Sequence, residues 1–95
     1  MNDVQSFSNE SVVLDAVLDL KAANCLKAAL MERRGLPLDI DASGVQRLGG
    51  LCLQVLIAAQ NAWTLDGATM IISSRSNEFT ETLKLFGADT LFQTH

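Results

Sequence analysis

The stretch Leu38-Asp39-Ile40-Asp41-Ala42-Ser43-Gly44-Val45-Gln46-Arg47-Leu48-Gly49-Gly50-Leu51 decides the fold. It continues a strand that opens at Leu36, with Pro37 near the start because a residue without an N–H is confined there. Asp41-Ala42-Ser43-Gly44 is turn chemistry. Val45 returns to the core, and Gln46-Arg47-Leu48 lead into Gly49-Gly50, where a helical pattern begins.

That helix runs from Gly49 to Leu65 and is richer in apolar residues than one buried face requires. Leu51, Val55, Ala58 and Ala62 form one stripe, which Cys52, Leu56, Ala59 and Trp63 widen. Leu53 and Ile57 lie off the stripe, beside Gln60. A two-layer domain covers one side of such a helix, so Leu53 and Ile57 are expected on the surface, and a pair of exposed aliphatic side chains suggests a contact face.

Upstream, residues 1–10 read as a flexible arm or edge strand. Ser11-Val12-Val13-Leu14 is a β-branched strand, broken by Asp15-Ala16. Asp19 is placed to cap a helix over residues 20–34, with Ala22, Ala23, Leu26, Ala29 and Leu30 inward, Lys21, Lys27 and Arg34 outward, and Gly35 just past its end. Downstream, residues 68–73 form a strand. Ser76 caps a helix over 77–86, with Glu78 and Glu81 near its positive end and Phe79, Leu83 and Phe86 as the buried stripe. Gly87 stops it, and residues 90–93 form a final short strand or half-turn.

Strands alternating with helices predict an α/β fold with right-handed crossovers. The expected architecture is a mixed, mostly parallel sheet of about four strands, with three helices packed mainly on one face. A single domain covers residues 11–95.

Composition limits function. The 95-residue chain is 48% hydrophobic, enough for one core, and carries a net charge of −4. Nucleic acid and anionic membranes both call for clustered Lys and Arg; Arg33-Arg34 instead complements a helix dipole. The most apolar run, Leu48 to Ala59, is interrupted by glycines and Gln54 and is too short for membrane insertion. The default location is the cytoplasm, where Cys25 and Cys52 read as small core residues rather than a disulfide.

Catalytic chemistry has little to use. The one histidine is His95, so a histidine-based triad or metal cluster is excluded. Neither cysteine has an evident base. Asp39 and Asp41 share a strand face if the strand extends, and solvated carboxylates are the plainer reading. Gly49-Gly50 opens a helix and suits close backbone packing better than anion capture. No catalytic, cofactor-binding or metal-binding residue is assigned.

The alternation of elements and the opening stretch together resemble the STAS domain (sulfate transporter and anti-sigma-factor antagonist). Asp41, Ser43 and Val45 match its Asp-x-Ser-x-Val, and Gly50-Leu51 match the end of its Asp-Ser-Ser-Gly-Leu loop. Gly67, Ser76, Leu83 and Gly87 fall where its later elements sit. In signalling members the loop's first hydroxyl is phosphorylated by a partner kinase. Matched residue by residue, that position is Leu48, between Arg47 and Gly49. The resemblance therefore implies a non-enzymatic protein-interaction module with no phosphorylatable residue in this loop; Ser43 reads as a turn residue.

The run from Val45 to Leu56 is similar to small STAS proteins of rhizobial chemotaxis operons, which implies binding to a chemotaxis histidine kinase and modulation of its phosphorelay. An anti-sigma-factor antagonist, or a soluble subunit of a lipid-transport ABC complex, are the alternatives; both normally keep the hydroxyl that Leu48 lacks. The expected partner-binding residues are Gln46, Arg47, Leu48, Gly49, Leu53 and Ile57, with Arg47 able to grip a carboxylate. The apolar second helix also leaves room for a homodimer.

Overall fold

The computed structural model describes residues 10–92, and its elements follow in the order β1 (Glu10–Val13), β2 (Val17–Leu18), α1 (Ala22–Met31), β3 (Leu38–Ala42), β4 (Arg47–Leu48), α2 (Gly50–Leu65), β5 (Met70–Arg75) and α3 (Asn77–Leu85). The arm assigned to residues 1–10 lies outside the described residues except for Glu10, which begins β1.

Among the described residues the strands form two parallel sheets. One has the order β1-β3-β5, and the other joins the short strands β2 and β4. The main sheet pairs Val12 with Ile40 and Ile40 with Ile72. Past that point the register shifts so that Asp41 meets Ser74, which leaves Ser73 as the extra residue of a bulge.

Side chains alternate across a strand, and β3 shows it: Leu38, Ile40 and Ala42 are buried while Asp39 and Asp41 are half-buried on the other face. Met70 and Ile72 join the buried side. Both carboxylates are occupied. Asp39 accepts a 2.6 Å hydrogen bond from the Ser73 hydroxyl, and Asp41 Oδ1 accepts the Ser43 N–H at 2.9 Å. The latter is an Asx turn, the local device by which Asp ends a strand, and it gives Ser43 its turn role.

The helices begin and end as local chemistry directs. The helix expected over 20–34 spans Ala22–Met31, with Lys21 rather than Asp19 at its N-cap position; Asp19 Oδ1 accepts the Ala22 N–H at 3.2 Å across the tight turn that precedes it. Beyond Met31, Arg33 donates to the Ala29 carbonyl at 2.6 Å, serving the helix end. Arg34 turns instead to Asp66 at the end of α2, with contacts of 2.6 and 3.2 Å. Ser76 caps α3 by accepting the Phe79 N–H at 3.0 Å.

Two side-chain expectations change, and a pair that the sequence left unassigned forms a strand. Val17-Leu18 is a strand, because Leu18 is buried and its carbonyl pairs with Gly49. Cys25 is exposed rather than in the core. Phe86 is 58% exposed: α3 stops at Leu85, so Phe86 leaves the helical period, and Ala88 and Phe92 fill the core beyond the turn. The C-terminal segment up to Phe92 is the half-turn, with Arg75 donating to the Phe92 carbonyl at 3.1 Å.

Candidate partner-binding surface

The segment from Gln46 to Gly50 is fixed by its backbone. The N–H groups of Gln46 and Arg47 both donate to the Ala16 carbonyl, at 2.7 and 3.1 Å, and that of Gly49 to the Leu18 carbonyl at 2.8 Å. A side chain at Gly49 would place its Cβ 3.0 Å from the Leu18 oxygen. The glycine is there because two backbones meet. Gly50 has open space around it and starts α2.

Pairing of β4 with β2 sends successive side chains to opposite sides. Leu48 points inward and is 6% exposed, while Gln46 and Arg47 stay in solvent. Leu48 is thus an apolar core residue.

The expected face divides. Gln46 and Arg47 are exposed, Gly49 is half-buried, and Leu48 is buried. Leu53 is 3% exposed and belongs to the core, and Ile57 is half-buried against it. The reading that put Leu53 and Ile57 in solvent chose the wrong side of α2. Its buried face runs through Cys52, Leu53, Leu56, Ala59 and Trp63, and the stripe that begins at Leu51 lies toward solvent, with Leu51 44% exposed.

What Arg47 faces instead is α3. Gln46, Arg47 and Leu48 form one wall of a shallow groove of about 410 Å³ whose other wall is Glu78, Glu81, Thr82 and Leu85. Leu85 is 82% exposed. This second wall was missed from sequence, yet its signal is present: Glu78, Glu81 and Leu85 recur at the spacing of one helix face, opposite Phe79 and Leu83. The groove joins an aliphatic side chain to charges of both signs.

Chemistry is sparse elsewhere. No cluster of metal-ligating side chains occurs among the described residues, and none of their helices is long and apolar enough to cross a membrane. Cys52 is buried, its Sγ donates to the Asp19 carbonyl at 3.3 Å, and burial followed by the Asp19 charge raises its thiol pKa, the reverse of what activates a nucleophile.

A family model described as "Mlab, STAS domain" matches residues 1–93. No curated protein matches the chain. STAS domains are generally non-enzymatic modules that bind other proteins, of the signalling, anti-sigma-antagonist type. The parallel sheet with its three helices and a match along nearly the full sequence agree, and the chain belongs to the STAS domain family.

Proposed function

We propose that this STAS domain is a docking module in bacterial signalling that binds a chemotaxis histidine kinase in the cytoplasm and tunes its phosphorelay by occupancy. One observation supports the reading: Leu48, which the resemblance to STAS domains sets at the loop position of the phosphorylated hydroxyl, is apolar and 6% exposed. A switch that adds charge at this loop has no acceptor at that position. Control then rests on how much of the protein is bound. The kinase as partner is favoured by the wording of residues 45–56, similar to small STAS proteins of chemotaxis operons.

The docking surface is the groove between β4 and α3, with Gln46 and Arg47 on one side and Leu85 on the other; Leu48 lines it from the β4 side, and Gly49 shapes the loop, while Leu53 and Ile57 drop out of the surface. Calorimetric titration of the purified chain with the chemotaxis histidine kinase of its own genome tests the reading. Saturable binding that Arg47→Glu weakens at least about tenfold, a cost of ~1.4 kcal/mol, is the expected result. Absence of binding to the kinase, with capture of an anti-sigma factor or a transport ATPase instead, would replace it.

A further inference from the structure

The outward face of α2 is unusual in having no charge. Between Gly50 and Leu65 there is no Asp, Glu, Lys or Arg, although Leu51, Gln54, Ala58, Asn61 and Leu65 are all exposed. A solvated helix face normally carries charged residues. Here its two leucines are 44% and 84% exposed.

The order of these residues is nearly symmetric about Ala58, with a leucine at each end and a side-chain amide between. Leu51 and Leu65 stand about two helical turns on either side of Ala58, and all three fall on one line of the helix. An isologous contact requires that residue i meet j and j meet i across a twofold axis. If two copies of α2 pack antiparallel about Ala58, each Leu51 meets the other copy's Leu65, and Ala58 meets itself. The small side chain at the centre lets the helices approach closely. Antiparallel packing also sets each helix N-terminus beside the other's C-terminus, which favours their dipoles.

Charge selects the same occupant. Each copy carries −4, and like charges set opposite one another across an interface are costly. An uncharged face is what two copies of an acidic chain can share, whereas a face for a basic partner would hold carboxylates. Beside this seam lies an apolar groove of about 280 Å³ between α1 and α2, lined by Leu30, Met31, Leu51, Val55 and Ala62 with Lys27 as its one charge. Leu51 lines the groove, so the second copy's Leu65 would enter beside it.

We infer that the outer face of α2, centred on Ala58, is a self-association surface that pairs two copies of the chain antiparallel. This surface is separate from the β4–α3 groove and does not depend on the kinase reading.

Light scattering on the eluting chain, over a range of concentrations, tests it together with charge variants at the axis. The wild type is expected to form a concentration-dependent dimer. Ala58→Glu and Ala58→Lys each place like charges across the axis and should weaken it about a hundredfold or more. Both replace an exposed alanine with a good helix former, so far-UV ellipticity should persist; Leu65→Asp serves as a second disruption should either chain lose structure. Mixing the Ala58→Glu and Ala58→Lys chains should restore the dimer, because residue 58 then faces its opposite charge. A wild type that stays monomeric at its highest soluble concentration overturns the inference. So does a dimer indifferent to these substitutions, or a mixture that fails to reassociate.

Discussion

Trp63 Nε1 donates a 2.7 Å hydrogen bond to the carbonyl of Leu36, tying the last turns of α2 to the chain just before β3. The indole is fully buried, so its one polar atom must be paired, and the carbonyl before Pro37 supplies the partner. Trp63→Phe retains an aromatic ring and removes the donor. The expected loss is about 1–3 kcal/mol, read as a lower urea midpoint with an unchanged m-value. A midpoint equal to the wild type would mean that water replaces the indole without cost.

Gly49 and Gly50 are adjacent and should respond in opposite directions. Neither has a positive φ, so backbone strain is not at issue. A Cβ at Gly49 meets the Leu18 carbonyl oxygen at 3.0 Å, while one at Gly50 meets nothing within 4 Å. Gly49→Ala should destabilise by about 1–3 kcal/mol, since the contact is backbone on backbone and neither side yields easily. Gly50→Ala should be neutral or stabilising by up to about 1 kcal/mol. Paired denaturation curves decide it, and equal shifts for both would contradict the close approach of β2.

Ser76 links α3 to the β4 wall of the groove. Its Oγ accepts the Phe79 N–H at 3.0 Å and donates to the Val45 carbonyl at 2.5 Å. Val45 immediately precedes Gln46 and Arg47. Ser76→Ala removes cap and tether together and should cost about 1–2 kcal/mol. Hydrogen exchange should quicken in the first turn of α3 and in residues 45–48, the two walls of the groove. Faster exchange in α3 alone would show that the tether to Val45 contributes nothing.

The order of elements was legible from the strand, turn and helix around Asp39 to Leu51, because Pro37, the Asp41–Gly44 turn and Gly35 punctuate the chain with backbone chemistry that acts locally. The β2–β4 pair was not legible. Val17-Leu18 is too short to show a period, and its pairing comes from Gly49 meeting the Leu18 carbonyl, a contact between distant residues. The orientation of α2 was misread for a related reason: with no charged residue to mark its solvent side, the residues from Cys52 to Trp63 and those from Leu51 to Ala62 offer two equally apolar stripes. Arg47 was found because it is a lone cation beside a helix start. Its neighbours Glu78, Glu81 and Leu85 lie on another helix, and only the fold brings them to the same groove.

Asp41 should set part of the acid limit of stability. Hydrogen bonds from the Ser43 hydroxyl and from its backbone N–H hold the Asp41 carboxyl below the usual aspartate range. A carboxyl depressed in the folded state favours folding above its unfolded value, and that contribution is lost as the pH falls through the folded value. Wild-type stability should therefore decline on acidification below the ordinary aspartate pKa. Ser43→Ala removes the hydroxyl and keeps the N–H, so the Asp41 titration seen by carboxyl carbon NMR should move upward, toward the unperturbed value. An unmoved titration would remove Ser43 as the cause.

Thiol reactivity should distinguish the two cysteines by place alone. Cys25 lies on the exposed side of α1, and Cys52 is fully buried at the start of α2. The Cys52 thiol is further suppressed: burial and then the nearby Asp19 charge raise its pKa, so the reactive thiolate is scarcer at neutral pH. Its Sγ also donates to the Asp19 carbonyl, at the junction where β2 turns into α1. An aromatic disulfide reagent should therefore modify one thiol per chain promptly, and Cys25→Ser should abolish that phase. The second thiol should react at the rate at which the domain opens, and faster in Gly49→Ala if that substitution loosens β2 from β4. Two prompt thiols in the wild type would mean that the start of α2 opens on its own, which would leave Arg47 without the rigid support that the proposed docking groove requires.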